Sequence, residues 1–153
     1  MRVLDLGAGT GANLRATAPL IDAPQHWVLA DHDAGLLARA GAIPDVTVER
    51  REVDLAADLS PLFDPAPDLV TASAFLDLCG ADWTERLAAL ARRAKVAVCV
   101  DDAGNARDIS AAAVRFGAEI GVLVEIDVGA GRCGVAPGAD AVRLAVEVAA
   151  LPG

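Results

Sequence analysis

The sequence has no apolar run of the ~20 residues that a membrane-spanning helix needs, because charged residues interrupt every such stretch. Basic residues are scarce: 13 Lys and Arg against 22 Asp and Glu leave a formal net charge of −9. A sequence-independent grip on phosphate backbones depends on clustered Lys and Arg. Neither a nucleic acid nor a membrane is therefore expected as a partner. The three cysteines, Cys79, Cys99 and Cys133, are far apart and form no Cys-x-x-Cys pair. Without ligand spacing they read as reduced, apolar side chains of a cytoplasmic protein, and no metal site is expected. Met1-Arg2 leads directly into an apolar segment with no signal peptide. No internal repeat or low-complexity linker interrupts the text.

What is present is Ala, Val and Leu. The 153 residues are 54% hydrophobic, with a mean hydropathy of +0.41. A chain of this size buries roughly 68–70% of its unfolded surface as one domain. The composition suits parallel strands covered on both faces. Strands are expected at 2–6, 26–31, 46–53, 68–73, 95–100 and 121–128, and helices at 11–20, 33–41, 55–63, 82–93, 104–117 and 138–150. Pro24, Pro44, Pro67 and Pro137 fall in the connections, where proline costs no ladder hydrogen bond. Strict β-α alternation with short connections implies a parallel sheet with right-handed crossovers. The expected α/β fold is a three-layer, Rossmann-like, doubly wound sheet of six strands in the order 3-2-1-4-5-6. It spans residues 1–153 as a single domain.

Residues 3–11, Val-Leu-Asp-Leu-Gly-Ala-Gly-Thr-Gly, run an apolar strand into a loop with glycine at every second position, and a short helix follows. Such a backbone approaches a ligand closely, with free N–H groups at the helix start facing it. Ligands of open parallel sheets sit at the carboxyl ends of the strands, where strand order reverses. Gly7, Gly9 and Ala12 also satisfy Gly-x-Gly-x-x-Gly/Ala, but that dinucleotide fingerprint usually has an apolar residue where this chain has Asp5. Asp31 ends the second strand 24 residues past Gly7, about where a carboxylate accepts from two ribose hydroxyls. Asp33 reads as a helix cap, and His32 as solvent-facing or packed on a ring.

Asp5-x-Gly7-x-Gly9-x-Gly11 resembles motif I of class I S-adenosylmethionine-dependent methyltransferases. The resemblance implies S-adenosylmethionine as cofactor, with Asp5 suited to its cationic ammonium and sulfonium. Gly7, Ala8, Gly9, Gly11, Asp31 and His32 complete the implied binding set. Val53-Asp54-Leu55 resembles motif III of that family, in which Asp54 meets the adenine amino group and Leu55 covers the ring. Asp54 reads nearly as well as a helix N-cap. Asp68 to Leu78 resembles the strand after motif III, which puts Ser73 and Ala74 under the methionine end of the cofactor; Phe75 and Leu76 read as core. The likeness covers the first two-thirds of the chain. No N-terminal helices, insertions after strands four and five, or Asn/Asp-Pro-Pro-Tyr clamp supply an acceptor pocket, so no catalytic residue is assigned.

From Val98 the text changes character. Cys99 to Asn105 and Val122 to Val135 are similar to D-threonine aldolases and alanine racemase-like proteins. That resemblance implies a fragment of a (β/α)8 barrel that holds pyridoxal phosphate, with Arg132 near the phenolic oxygen of the cofactor. Its chemistry needs a Schiff-base lysine. Lys95, the only lysine in the chain, precedes strand five at the edge opposite the expected ligand side, so pyridoxal phosphate is not expected. Gly129, Gly131 and Gly134 read as a tight turn. The two resemblances imply an engineered chimera, methyltransferase-derived over 1–97 and barrel-derived over 98–153. It would have no evolved activity and would retain affinity for S-adenosylmethionine. The alternative is a truncated methyltransferase acting on a small molecule. A monomer or weak homodimer is expected, with Glu125 and Asp127 guarding strand six, an edge.

Overall fold

The computed structural model describes residues 1–72, 80–127, 129, 131 and 133–153. Its six parallel strands are β1 (Arg2–Leu6), β2 (Gln25–Asp31), β3 (Val46–Glu52), β4 (Leu69–Ala72), β5 (Lys95–Val100) and β6 (Ile120–Val124). They form one sheet in the order β3-β2-β1-β4-β5-β6, the α/β arrangement that the alternation predicts. The helices are α1 (Ala12–Thr17), α2 (Ala34–Ala38), α3 (Ala81–Ala91), α4 (Ala103–Phe116) and α5 (Ala139–Ala149). Among the described residues, no helix is long and apolar enough to cross a membrane.

Strand alternation sorts the core onto two faces. Val3, Trp27 and Leu29 pack with Leu14 of α1 and Leu37 of α2 on one face. On the other, Leu4, Leu6, Val28, Val70, Val96 and Val98 meet Trp83 and Leu87 of α3 and Ile109 of α4. Asp5 sits between two strands, with Leu29 and Thr71 as its register partners. By alternation it shares the face of Val3, under α1. That position makes a charged side chain part of the core.

Helix ends follow their local chemistry. The Asp33 carboxylate accepts the Leu36 N–H at 3.0 Å, as the sequence predicts. Asp102 does the same for Asn105 at 3.0 Å. Gly117, at φ 60°, closes α4 in the left-handed region, where a side chain would be strained.

Several boundaries differ from expectation. The helix expected at 55–63 is only a 3-10 turn, Ser60–Phe63, because Pro61 sets its start and the residues before it are held in a turn. The helix expected at 11–20 stops at Thr17 and passes into a 3-10 turn at Ala18–Leu20 around Pro19. The strand expected at 121–128 ends at Val124. Beyond it, Ile126 forms an isolated parallel bridge with Val135, since Val135 N–H donates to the Glu125 carbonyl and Asp127 N–H to the Val135 carbonyl.

Asp102→Ala removes the side-chain cap of α4 and is expected to cost about 1 kcal/mol. Urea unfolding checks it against the exposed, non-capping variant Asp108→Ala, which should be near neutral.

Candidate functional site

The loop after β1 needs its glycines. Gly7, Gly9 and Gly11 have φ of 69°, 52° and 75°, a region that costs L side chains energy and glycine almost none. Gly11 also permits close packing, since a Cβ there would come within 3.2 Å of the Ala40 Cβ. Gly9 differs: a Cβ would meet nothing within 4 Å, so its side of the loop is open.

The amides of this loop are not the free cradle that the sequence suggests. Gly7 and Ala8 N–H donate to the Ala30 carbonyl at 2.9 and 3.2 Å, and Gly11 N–H donates to the Ala8 carbonyl at 2.8 Å. Gly9 N–H donates to Asp31 Oδ2 at 2.8 Å. The physical reason is burial: Ala8 and Asp31 are both enclosed, so their neighbours' backbone groups need partners inside the protein. Asp31 accordingly pins the loop to β2, and its Oδ1 accepts Asp33 N–H at 3.0 Å. His32 extends into solvent with Nδ1 3.3 Å from the same oxygen.

The unusual group is Asp5, only 1% exposed. Its Oδ1 accepts from Asn13 Nδ2 at 2.9 Å and from the Thr71 hydroxyl at 2.8 Å. Asn13 Nδ2 also donates to Thr71 Oγ1 at 2.8 Å, and Thr17 donates to Asn13 Oδ1 at 3.0 Å. Asp5 Oδ2 is buried with no hydrogen-bond partner among the described residues. Desolvation holds the Asp5 carboxyl above its ordinary range; the bonds from Asn13 and Thr71 oppose this, and the Asp31 charge adds to it. Asn13 and Thr71 escaped sequence reading. The available signal was a lone threonine in the apolar strand Leu69–Ala72, since a buried hydroxyl requires a partner.

The remaining expected residues divide. Asp54 is exposed and accepts Ala56 N–H at 2.8 Å, capping a turn rather than a helix. Leu55 is a core residue, and its carbonyl accepts Trp83 Nε1–H at 2.8 Å. Both follow the carboxyl end of β3, so they share an edge with Gly7, Asp31 and His32. Ser73 and Ala74 lie outside the described residues, as do Phe75, Leu76 and Arg132.

A second loop folds over the carboxyl end of β5. Asp101 Oδ2 accepts Gly134 N–H at 2.8 Å. Asp127 Oδ1 accepts Gly129 and Gly131 N–H at 2.8 and 3.1 Å, and the Cys133 thiol donates to Glu125 Oε1 at 3.0 Å. Glu125 and Asp127 thus shape this loop instead of guarding the strand edge. Nearby, Asp101, Asp102, Asp140, Arg143 and Glu147 line a cavity of about 280 Å³. Among the described residues, no group of three or more His, Cys, Asp or Glu is placed to hold a metal ion.

The profile of the alanine racemase N-terminal domain matches residues 70–153. The chain belongs to that family. D-threonine aldolase of Arthrobacter sp is 54% identical over 67 residues, which are 44% of this chain and 18% of that protein. The crystal structure of D-threonine aldolase from Filomicrobium marinum superposes with a TM-score of 0.55 at 42% identity, over 61% of this chain and 24% of that one. A structure of an S-adenosylmethionine dependent methyltransferase from Mesorhizobium loti gives 0.38 at 26% identity, over 56% and 39%, and at that score it carries no argument. The chain thus spans about a fifth of the length of its aldolase relatives, 18% of the Arthrobacter protein. The family match also starts earlier than the change of character read at Val98. It begins at Val70 and takes in β4, α3 and β5.

The native state keeps the Asp5 proton to higher pH than the unfolded chain does. Its contribution is therefore greatest in acid and is lost as pH rises from the ordinary carboxylate range through the raised native value. Asp5→Asn keeps the acceptor for Asn13 and Thr71 and removes the titration. Urea unfolding across pH should show the difference between wild type and variant tilting in that direction; a difference independent of pH would contradict the assignment.

Proposed function

We propose that this chain is a hybrid α/β protein that binds a cationic adenosyl cofactor of the S-adenosylmethionine class at the carboxyl edge of β1, with no aldolase chemistry of its own. The observation that carries this reading is Asp5 Oδ2, a buried carboxyl oxygen without a partner in a strand that enters an all-left-handed glycine loop. An unpaired buried polar atom is costly, and a ligand ammonium would satisfy it. The hybrid origin rests on the motif resemblance of the residues before the family match and on that match over residues 70–153, which moves the join upstream of residue 97.

Family membership points toward pyridoxal phosphate, against what the sequence alone argued, and the 42% identity to a D-threonine aldolase structure favours that second reading. The residues present do not fit the group. Lys95, the only lysine, is exposed at the first position of β5. The loop held by Asp101 and Gly134 lies past the other end of that strand. A Schiff base formed by this chain would sit on the wrong edge of the sheet, so no step through pyridoxal phosphate is derived.

Calorimetric titration of the folded protein with S-adenosylhomocysteine should give saturable heat, and Asp31→Ala should weaken binding by about 1–3 kcal/mol because the Gly9 and Asp33 amides lose their acceptor. A folded sample giving no heat would sink the cofactor reading. Borohydride reduction after adding pyridoxal phosphate, read by intact mass, should label Lys95 no more than an exposed surface lysine; stoichiometric labelling would establish the second reading instead.

A further inference from the structure

The sheet ends on an unguarded strand. β6 is last in the strand order and, among the described residues, pairs only with β5. Glu125 N–H donates to the Val100 carbonyl on that inner side, and the Val135 bridge uses the same side through the Glu125 carbonyl. Backbone groups of successive strand residues point to alternate sides, so those of Ile120, Val122 and Val124 face the outer edge. Such a row of N–H and C=O groups is a template for a further strand, and proteins usually blunt it with Lys, Pro or a charge. Ile120–Val124 reads Ile-Gly-Val-Leu-Val and carries none of these, while the Glu125 carboxylate is engaged by the Cys133 thiol. Leu123 on this strand is 59% exposed. α5 adds a second apolar feature beside it. Val142 and Val146, one turn apart, are 62% and 65% exposed, whereas Ala141 and Leu144 are buried. By helical periodicity the two valines lie on the side away from Glu147, which pairs with Arg107 of α4 at 3.0 Å. That side of α5 therefore overhangs the outer edge of β6. Residues 151–153 do not cover it: the Ser110 hydroxyl donates to the Pro152 carbonyl at 2.6 Å and holds them against α4.

We propose that this edge is the interface of a two-fold dimer, in which β6 pairs antiparallel with β6 of a second copy and α5 packs on its counterpart. A second copy fits because one surface offers both halves of what the other needs. A two-fold axis at Val122 sets that residue against its own copy and Ile120 against Val124, and each pair exchanges its outward N–H and C=O groups. Gly121 meets Leu123 between them, so no charges oppose each other within the strand. The same rotation keeps α5 and its copy on one face, where their Val142 and Val146 stripes leave water together. Two six-stranded sheets become one. Each copy contributes a strand of five residues and a helix of eleven, a small patch beside the ~800 Å² per partner of a standard interface. The net charge of −9 on each copy opposes association, and Glu119 of one copy falls opposite Glu125 of the other. The dimer is therefore weak at low salt and tightens as salt screens this repulsion.

Sedimentation velocity over about 1–500 µM protein, a range suited to the weak end of small interfaces, reads the association. The expected result is a reversible passage from the 15.6 kDa monomer to twice that mass, stronger at high salt. Leu123→Lys on the strand and Val142→Lys on the helix replace exposed side chains, so both variants should stay folded. Each should weaken dimerisation by about tenfold or more. Leu20→Lys, at an 82% exposed residue in the 3-10 turn after α1, should dimerise as the wild type does. Glu119→Lys places a cation opposite Glu125 at two equivalent contacts and should tighten the dimer by about threefold to tenfold. Hydrogen exchange distinguishes strand pairing from helix packing alone: the Val122 and Val124 amides should gain protection as concentration rises. A monomer throughout the range at high salt overturns the proposal. So does a dimer indifferent to Leu123→Lys, or one in which those two amides exchange as fast as in the monomer. Open-ended assembly past the dimer overturns the two-fold.

Discussion

The hydrogen bonds on Asp5 Oδ1 tie together three elements of the fold. β1 supplies the carboxyl, β4 the Thr71 hydroxyl and α1 the Asn13 amide. β1 is the central strand of the crossover, paired with β2 on one side and β4 on the other. The point where strand order reverses is thus fastened by a buried polar cluster as well as by apolar packing. A buried group of this kind is useful only if all its members are satisfied. Among the described residues all but one are, and the exception is Asp5 Oδ2.

The glycine loop depends on that fastening. Its entry is fixed by Asp5 and its exit by Asn13, while Asp31 holds its middle through Gly9 N–H. A ribose could share Asp31 only as a further donor to a carboxylate that already accepts two amides. This differs from the open acceptor pair that the motif suggests.

Much of the architecture was legible in the chain. Strands β1 and β5 fall where the apolar runs place them, the strand order follows from alternation and crossover hand, and Asp33 caps α2 as its position implies. What could not be read was set by contacts distant in sequence. Leu55 becomes core because Trp83 closes over it. Asp31 turns inward because the loop amides it meets are buried. β6 ends early because a glycine-rich segment returns to bridge Ile126 with Val135. Asn13 and Thr71 are ordinary residues in the text and matter only once the sheet brings them to Asp5.

Parallel strands put every strand end of one kind on one edge, so both loops, the glycine turn after β1 and the segment folded over β5, open on the same side. Acidic groups end or follow four of those strands: Asp31, Glu52, Asp101 with Asp102, and Glu125. Arg92 and Arg93 before β5, and Lys95 at its first position, fall at the opposite edge. Summed charge biases which ions collect at a surface. The family match over residues 70–153 takes in Thr71, so the polar cluster around Asp5 joins the matched part of the chain to the part before it.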